Sequence, residues 1–79
     1  MVHKPVKLST LKRGDSCIIQ TFTNEELQLK LMEMGCLPGE RIVVDRLAPL
    51  GDPMAISVSG YTLSIRLDEA ASIMVTPAE

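Results

Sequence analysis

The fold is decided by residues 27–41, which read LQLKLMEMGCLPGER. Leu27, Leu31 and Met34 are spaced so that they fall on one face of a helix. Gly35 follows this stripe directly. It predicts the end of the helix, because the residue after a helix often adopts a left-handed backbone that penalises a Cβ atom.

The residues that follow the helix predict a tight turn and then a strand. Cys36 is expected to fold back toward Leu31, as the residue after a left-handed helix end commonly does. Pro38 has a fixed φ and Gly39 is free to take a positive φ, which together are the requirement of a type II turn. Glu40 should therefore open a strand.

The start of the helix is predicted by Thr-Asn-Glu-Glu at residues 23–26. Thr23 and Glu26 have the spacing of a capping box, in which each side chain accepts a hydrogen bond from the other residue's backbone N–H. Glu26 also precedes Lys30 by four residues, the favourable order for an exposed ion pair. We expect an α-helix over about residues 24–34.

Strands are predicted around this helix. Met54, Ile56 and Val58 alternate with small residues, and residues 61–67 alternate in the same way after the short Ser59-Gly60 connection, so the two segments predict an antiparallel hairpin. Further strands are expected over residues 16–22, about 40–45 and 72–76, and a single helical turn capped by Asp68 over residues 68–71.

Five strands with one inserted α-helix and a one-turn helix predict a mainly β fold, a small SH3-like barrel that is partly open. The chain of 79 residues is expected to form one domain, residues 1–79, which buries roughly 60% of the surface of its unfolded chain. In residues 5–15, Leu8 and Leu11 lie one turn apart, so we expect this segment to form a short lid over one end of the core.

Charge and hydropathy narrow the classes of function. The formal net charge is −2 and the aromatic residues are Phe22 and Tyr61, a composition that argues against nucleic-acid binding. Residues 1–14 carry basic groups without acidic ones; a solvated arm is the preferred interpretation, and docking on an acidic partner is the alternative. No apolar run approaches the roughly 18 residues that cross a bilayer, and the start resembles no signal peptide, so we expect a cytoplasmic protein.

Catalytic and metal-binding patterns are weak. His3, the single histidine, lies near the N-terminus, so no imidazole is placed beside a nucleophile, and there is no glycine loop with a lysine to cradle phosphate. We therefore expect no enzyme and no cofactor. Cys17 and Cys36 are interpreted as small buried thiols and the methionines as core residues, so no metal ligands are assigned.

Apolar side chains in predicted loops are the candidates for partner contact, because exposed apolar patches often mark interaction sites. The segment Leu47-Ala-Pro-Leu-Gly-Asp-Pro53 cannot continue a strand, since its prolines remove ladder donors. The alternative, that Leu50 packs on the end of the barrel, is equally open. The candidates are Leu37, Leu47, Leu50 and Met54.

Four motifs in this order resemble the family of ferrous iron transport protein A, FeoA, over nearly the whole chain. They are Leu8-Ser-Thr-Leu11 with Gly14, then LMEMGCLPG at residues 31–39, APLGDP at residues 48–53, and GYTLSIR at residues 60–66 with Ala70 and Ile73. We expect the residues that these motifs share with the family to set backbone geometry more than partner contact. They are Gly35, Pro38, Gly39, Gly51, Pro53, Gly60 and Arg66.

The resemblance implies an SH3-like barrel that binds the membrane ferrous transporter FeoB, at its cytosolic portion, as a non-enzymatic accessory or regulatory partner. It would reach the membrane only through that transporter. Two other functions stay open: a metal-sensing or iron-delivery protein, and a small barrel that binds nucleic acid. Self-association is a further possibility, because a partly open barrel leaves strand edges exposed.

Overall fold

The computed structural model describes residues 4–78, which form one antiparallel sheet with its helices packed against it. In space the strands follow the order β1-β6-β2-β3-β4-β5. The elements in chain order are β1 Val6–Lys7, a 3-10 helix Leu8–Thr10, β2 Ser16–Phe22, α1 Glu25–Glu33, β3 Arg41–Leu47, β4 Met54–Val58, β5 Tyr61–Ile65, α2 Leu67–Ala70 and β6 Ile73–Ala78.

The mainly β class and the helix inserted between the first two long strands are confirmed. The strand count was too low, because the described residues contain six strands and not five. The additional strand, β1, has two exposed residues that pair with Val75 and Met74 of β6. Two residues give no alternating pattern, so this strand depends on its partner alone.

The core lies where the inward faces of β3, β4 and β6 meet α1 and the 3-10 helix. Ile42 and Val44 of β3 are fully buried, as their alternation predicts. Leu8 of the 3-10 helix is also fully buried, so the N-terminal segment does cover the core. The other buried apolar residues are Cys17, Ile19, Leu31, Cys36, Met54, Ile56, Val58, Ile65, Ala70, Ile73 and Val75.

The predicted capping of α1 was wrong by one residue. The N-cap is Asn24, whose Oδ1 accepts from the N–H groups of Glu26 at 3.0 Å and Leu27 at 3.1 Å. An Asn at the N-cap satisfies these donors as well as a Thr does. Thr23 instead donates its hydroxyl to the Ser72 carbonyl at 3.4 Å, a partner 49 residues away that the local pattern could not indicate.

The predicted end of α1 is confirmed. Gly35 has φ +102° and donates to the Met32 carbonyl, while the N–H of Cys36 donates to the Leu31 carbonyl at 2.9 Å. These two bonds complete a Schellman motif, in which the residue after the glycine packs on the last turn of the helix. Cys36 and Leu31 are both fully buried, as expected from this motif.

The ion pair predicted within α1 does not form in this arrangement. Lys30 donates to the Glu69 carboxylate at 2.7 Å. The lysine therefore joins α1 to α2 instead of pairing with Glu26 within α1. Asp68 is likewise not the N-cap of α2, because that position belongs to Arg66. The helix covers residues 67–70, one residue earlier than predicted.

Strand β6 runs through Pro77 to Ala78, beyond the expected end at residue 76. The register explains the difference. β1 pairs only with Met74 and Val75, so at Pro77 the strand has β2 on one side and no described strand on the other. Proline is tolerated at such an edge because the N–H that it lacks has no ladder partner there.

Candidate functional site

Residues 47–53, called here the 47–53 loop, project an apolar side chain from a hydrogen-bonded backbone. The expectation that Leu47 cannot continue the strand is wrong, because Leu47 is the last residue of β3 and pairs with Met54. The N–H of Ala48 donates to the Pro53 carbonyl at 3.1 Å, and the N–H of Gly51 donates to the Ala48 carbonyl at 2.7 Å. Leu50 lies at the tip and is 93% exposed. The alternative, that this leucine packs on the end of the barrel, is therefore wrong.

Asp52 fastens the same loop to α2. Its Oδ1 accepts a hydrogen bond from the N–H of Leu67 at 3.0 Å. A helix begins with N–H groups that have no partner within the helix, so this carboxylate caps α2 from outside. It also carries the negative charge that the start of a helix favours. The position of Leu50 thus depends on contacts at both the base and the side of its loop.

A shallow groove of about 510 Å³ lies beside this loop, on the face of the sheet that points away from the core. Small side chains of β4 and β5 and apolar side chains of the loop line it, and Arg46 adds a positive charge. The lining residues are Arg46, Leu47, Ala48, Pro49, Pro53, Ala55, Thr62 and Ser64. The exposed Leu50 side chain therefore lies near a groove that contains the hydroxyl groups of Thr62 and Ser64.

The four predicted contact residues differ in exposure. Leu50 and Leu37 are exposed, and Leu47 is half-buried at the groove. Met54, however, is fully buried, so its expected exposure is wrong. The reason is its register: Met54 begins β4 and shares the inward face with Ile56, and it lies opposite the buried end of β5.

Leu37 and Leu50 are not brought together. The hairpin of β4 and β5 separates them, because Met54 pairs with Ile65 at the end next to the 47–53 loop, whereas Tyr61 begins β5 at the other end. Tyr61 contacts the glycine turn that precedes Leu37. The two expected contact surfaces therefore lie at opposite ends of a five-residue hairpin, which is about 13 Å long.

Sequence reasoning missed three exposed apolar or aromatic side chains, of which Val6 lies on β1. Tyr61 is 46% exposed and donates its hydroxyl to the Met34 carbonyl at 2.6 Å, which satisfies a carbonyl at the end of α1. Leu29 is 65% exposed on the outer face of α1. The sequence did contain a signal for this leucine, because it lies off the stripe of Leu27, Leu31 and Met34.

The residues shared with the family motifs occupy turns and element ends. Gly39 follows Pro38 in a turn closed by the Glu40 N–H and the Leu37 carbonyl at 3.0 Å. Pro53 immediately precedes β4, and Arg66 is the N-cap of α2. The glycines with positive φ are Gly14, Gly35, Gly39, Gly51 and Gly60.

The thiols and acids show no metal-binding arrangement within residues 4–78, where no group of three or more His, Cys, Asp or Glu side chains is placed to hold an ion. His3 lies outside the described residues. Cys17 and Cys36 are free and fully buried. Burial, with a smaller effect of Asp15, raises the pKa of Cys17 to about 11, so this thiol stays protonated at neutral pH.

No helix within residues 4–78 is long and apolar enough to cross a membrane.

Among the described acidic residues, Glu69 has a shifted pKa. Hydrogen bonds from Lys30 and from the backbone of Arg66 lower the pKa of its carboxyl. Its partners explain this shift as a structural contact between helices.

Comparison with known proteins agrees with this architecture. Residues 6–77 match the family described as the FeoA domain. The chain is also 34% identical over 71 residues, 89% of its length, to a fusion protein of Fe(2+) transport protein A and Fe(2+) transporter FeoB from Porphyromonas gingivalis. It spans only 8% of the length of that fusion protein.

Two solved structures extend the comparison. An FeoA-like protein from Clostridium acetobutylicum superposes with a TM-score of 0.92 at 30% identity, covering 99% of this chain and 92% of that one. The zinc complex of FeoA from Stenotrophomonas maltophilia, a prokaryotic SH3 domain protein, superposes with a TM-score of 0.74 at 25% identity. That match covers 86% of each chain. The expected SH3-like fold is confirmed.

Proposed function

Because the chain belongs to the FeoA family, we propose that it is a non-enzymatic accessory protein of ferrous iron uptake that binds the transporter FeoB in the cytoplasm. The relative from Porphyromonas gingivalis supports this partner, since it carries a region similar to this chain in one polypeptide with FeoB. Fusion places two protein domains at a high effective concentration relative to each other, which strengthens a direct contact between them.

One observation carries the proposed mode of binding: Leu50 is almost fully exposed at the tip of a hydrogen-bonded loop. Holding an apolar side chain in water is unfavourable by an amount that burial against a partner recovers. A loop that is already ordered also loses little conformational entropy on binding. We therefore assign the 47–53 loop and its groove as the FeoB contact surface, with Leu37 as a second contact.

The 47–53 loop favours a protein partner over nucleic acid. The apolar tip and prolines suit a protein surface, whereas nucleic-acid sites are built from clustered positive charges and stacking aromatic rings. Arg46 adds one positive charge beside the groove, and Asp52 a negative charge on the other side of the loop. This mixed pattern suits a partner surface with an apolar pocket and a carboxylate near it.

The test is a titration of isotope-labelled protein with the cytosolic GTP-binding portion of FeoB, with and without nucleotide, followed by backbone amide shifts. We expect shifts confined to residues 47–53 and the groove, with smaller shifts around Leu37. Leu50→Asp places a charge in the apolar contact and should weaken binding at least about tenfold, equivalent to about 1.4 kcal/mol.

Leu29→Asp is the matched control, because it adds the same charge at an exposed leucine on α1, away from the groove. It should bind like the unchanged protein. Both variants are expected to keep the fold, since substitutions of exposed residues usually change stability by less than about 0.5 kcal/mol. Equal binding by the Leu50 and Leu29 variants would reject the 47–53 loop as the contact, and an absence of any shift would reject the cytosolic portion of FeoB as the partner.

A further inference from the structure

The two outer strands of the sheet differ in how far their residues prevent pairing with another chain. β1 is two residues long and includes Lys7, and Lys4 and Pro5 come just before it. Short length, lysine and proline are the usual means by which proteins prevent an edge strand from pairing with another chain. β5, the other outer strand, has five residues and includes neither a charged residue nor a proline.

The backbone of β5 has hydrogen-bonding groups that point away from the sheet. Val58 and Tyr61 flank the two-residue Ser59-Gly60 turn, so they exchange hydrogen bonds with each other. Pairs alternate along an antiparallel ladder, and the N–H and C=O groups of Thr62 and Ser64 therefore face the open edge. Both residues are also exposed.

We infer that β5 is a self-association edge, at which two copies of the chain pair antiparallel with Thr62 of one copy opposite Ser64 of the other. In this register both pairs use the outward N–H and C=O groups, which gives four backbone hydrogen bonds around a two-fold axis at Leu63. β5 already has the extended conformation that pairing requires.

Charge favours this antiparallel arrangement of two identical strands. The five residues of β5 are uncharged, so identical strands meet without like-charge contacts. Arg66 follows β5 directly, and in the antiparallel register the two Arg66 residues lie roughly 20 Å apart, beyond the screening length of about 8 Å at physiological salt. A parallel pair would place these arginines side by side.

The area of one strand pair is below that of a permanent dimer, so the association is weak and depends on concentration. This inference does not rest on the proposed transporter contact. It uses the backbone edge of β5 and is tested with this chain alone. The side chains of Thr62 and Ser64 also line the groove of the proposed docking surface, whereas the tip of the 47–53 loop belongs to that surface alone. A partner that supplies a different strand to the same edge is the competing occupant.

The experiment combines sedimentation velocity with amide hydrogen exchange from about 10 µM to about 1 mM, a range that covers weak complexes. We expect the sedimentation coefficient to rise with concentration. The amides of Thr62 and Ser64 should exchange more slowly as the protein is concentrated, because pairing makes them hydrogen-bond donors. A constant sedimentation coefficient together with unchanged exchange at these two amides would overturn the inference.

Two charge variants test the register. Thr62→Lys/Ser64→Lys places lysine opposite lysine twice and should weaken dimerisation at least about tenfold, whereas Thr62→Lys/Ser64→Glu places lysine opposite glutamate and should restore it. Gln20→Lys/Thr21→Lys is the control, since it adds two charges at exposed positions of β2, which is not a neighbour of β5 in the sheet. If all three variants associate equally, the pairing is not through β5.

Discussion

Replacing Gly35 by alanine should destabilise the protein in two separable ways. The residue has φ +102°, a conformation that disfavours any Cβ atom. A Cβ at this position would also overlap the hydroxyl oxygen of Tyr61 and lie 3.2 Å from its Cζ atom. The tyrosine ring would therefore have to move, which breaks its hydrogen bond to the Met34 carbonyl.

The size of the effect follows from these two contributions. A left-handed conformation costs a non-glycine residue about 1–2 kcal/mol, and the lost hydrogen bond costs about 0.5–1.5 kcal/mol. We expect Gly35→Ala to lower the free energy of unfolding by about 1.5–3.5 kcal/mol. A domain of 79 residues has only about 4–12 kcal/mol in total, so this is a large share.

Gly39→Ala is the matched control. Gly39 has φ +91°, but a Cβ there would have no neighbouring atom within 4 Å. Only the conformational cost applies, and we expect a loss of about 1–2 kcal/mol. The difference between the two alanine variants, about 1 kcal/mol, corresponds to about 4–8 °C in Tm and isolates the contact with Tyr61.

The assay is urea unfolding of Gly35→Ala, Tyr61→Phe and the double variant. Removing the tyrosine hydroxyl removes the overlap, so the double variant should lose less stability than the two single variants added together. The interaction should be about 1 kcal/mol, within the range seen for residues in contact. Additive losses, or equal losses for Gly35→Ala and Gly39→Ala, would show that Tyr61 does not confine the glycine.

Two further predictions concern the helix start and a buried thiol. Asn24→Ala should lower the free energy of unfolding, measured in urea, by about 1 kcal/mol, because Asn24 caps two N–H groups of α1. Thr23→Ala should lower it by less. A larger loss for Thr23→Ala would show that Thr23 is the capping residue after all. Burial raises the pKa of Cys17 to about 11 from 9.0, so its stabilising contribution is complete below pH 9 and is lost as pH rises toward 11. Cys17→Ala should weaken that decline in urea unfolding measured from about pH 8 to 11, and an unchanged slope would contradict the assignment.

Local patterns predicted the elements whose causes lie within a few residues. The end of α1 at Gly35, the turn at Pro38 and Gly39, and the hairpin at Ser59-Gly60 each depend on which residues tolerate a particular φ. These backbone requirements act over two to five positions, so they are visible in the sequence. The same holds for the buried faces of β3 and β4, where alternation alone sets the orientation of each side chain.

Elements whose causes lie far along the chain could not be predicted in this way. Lys30 had an acid four residues before it, yet it pairs with Glu69. Thr23 had the spacing of a cap, yet it bonds to Ser72. In both cases the local partner was chemically adequate, and the arrangement of the folded chain offered a different one. The spacing of residues along a helix compares only partners that are near in sequence, so it cannot indicate a better partner elsewhere in the fold.

In the candidate site, too, the sequence predicted features with local causes but not features that depend on distant residues. That residues 48–53 form no strand followed from their prolines, but which apolar side chain near them faces water did not. Met54 and Leu50 are both apolar and lie four residues apart. Their difference arises because strand register turns Met54 inward opposite Ile65, whereas Leu50 lies beyond the last ladder pair of β3.

The hairpin of β4 and β5 links the two expected contact surfaces. Tyr61 fixes one end of β5 to the turn before Leu37, and the Asp52 bond to Leu67 fixes the 47–53 loop to the helix that follows the other end. Leu37 and Leu50 are therefore held at a set separation by elements that contain neither residue. A partner that contacts both would recognise that spacing, so the loss of the Tyr61 hydroxyl should weaken such a contact even though Tyr61 lies outside the 47–53 loop.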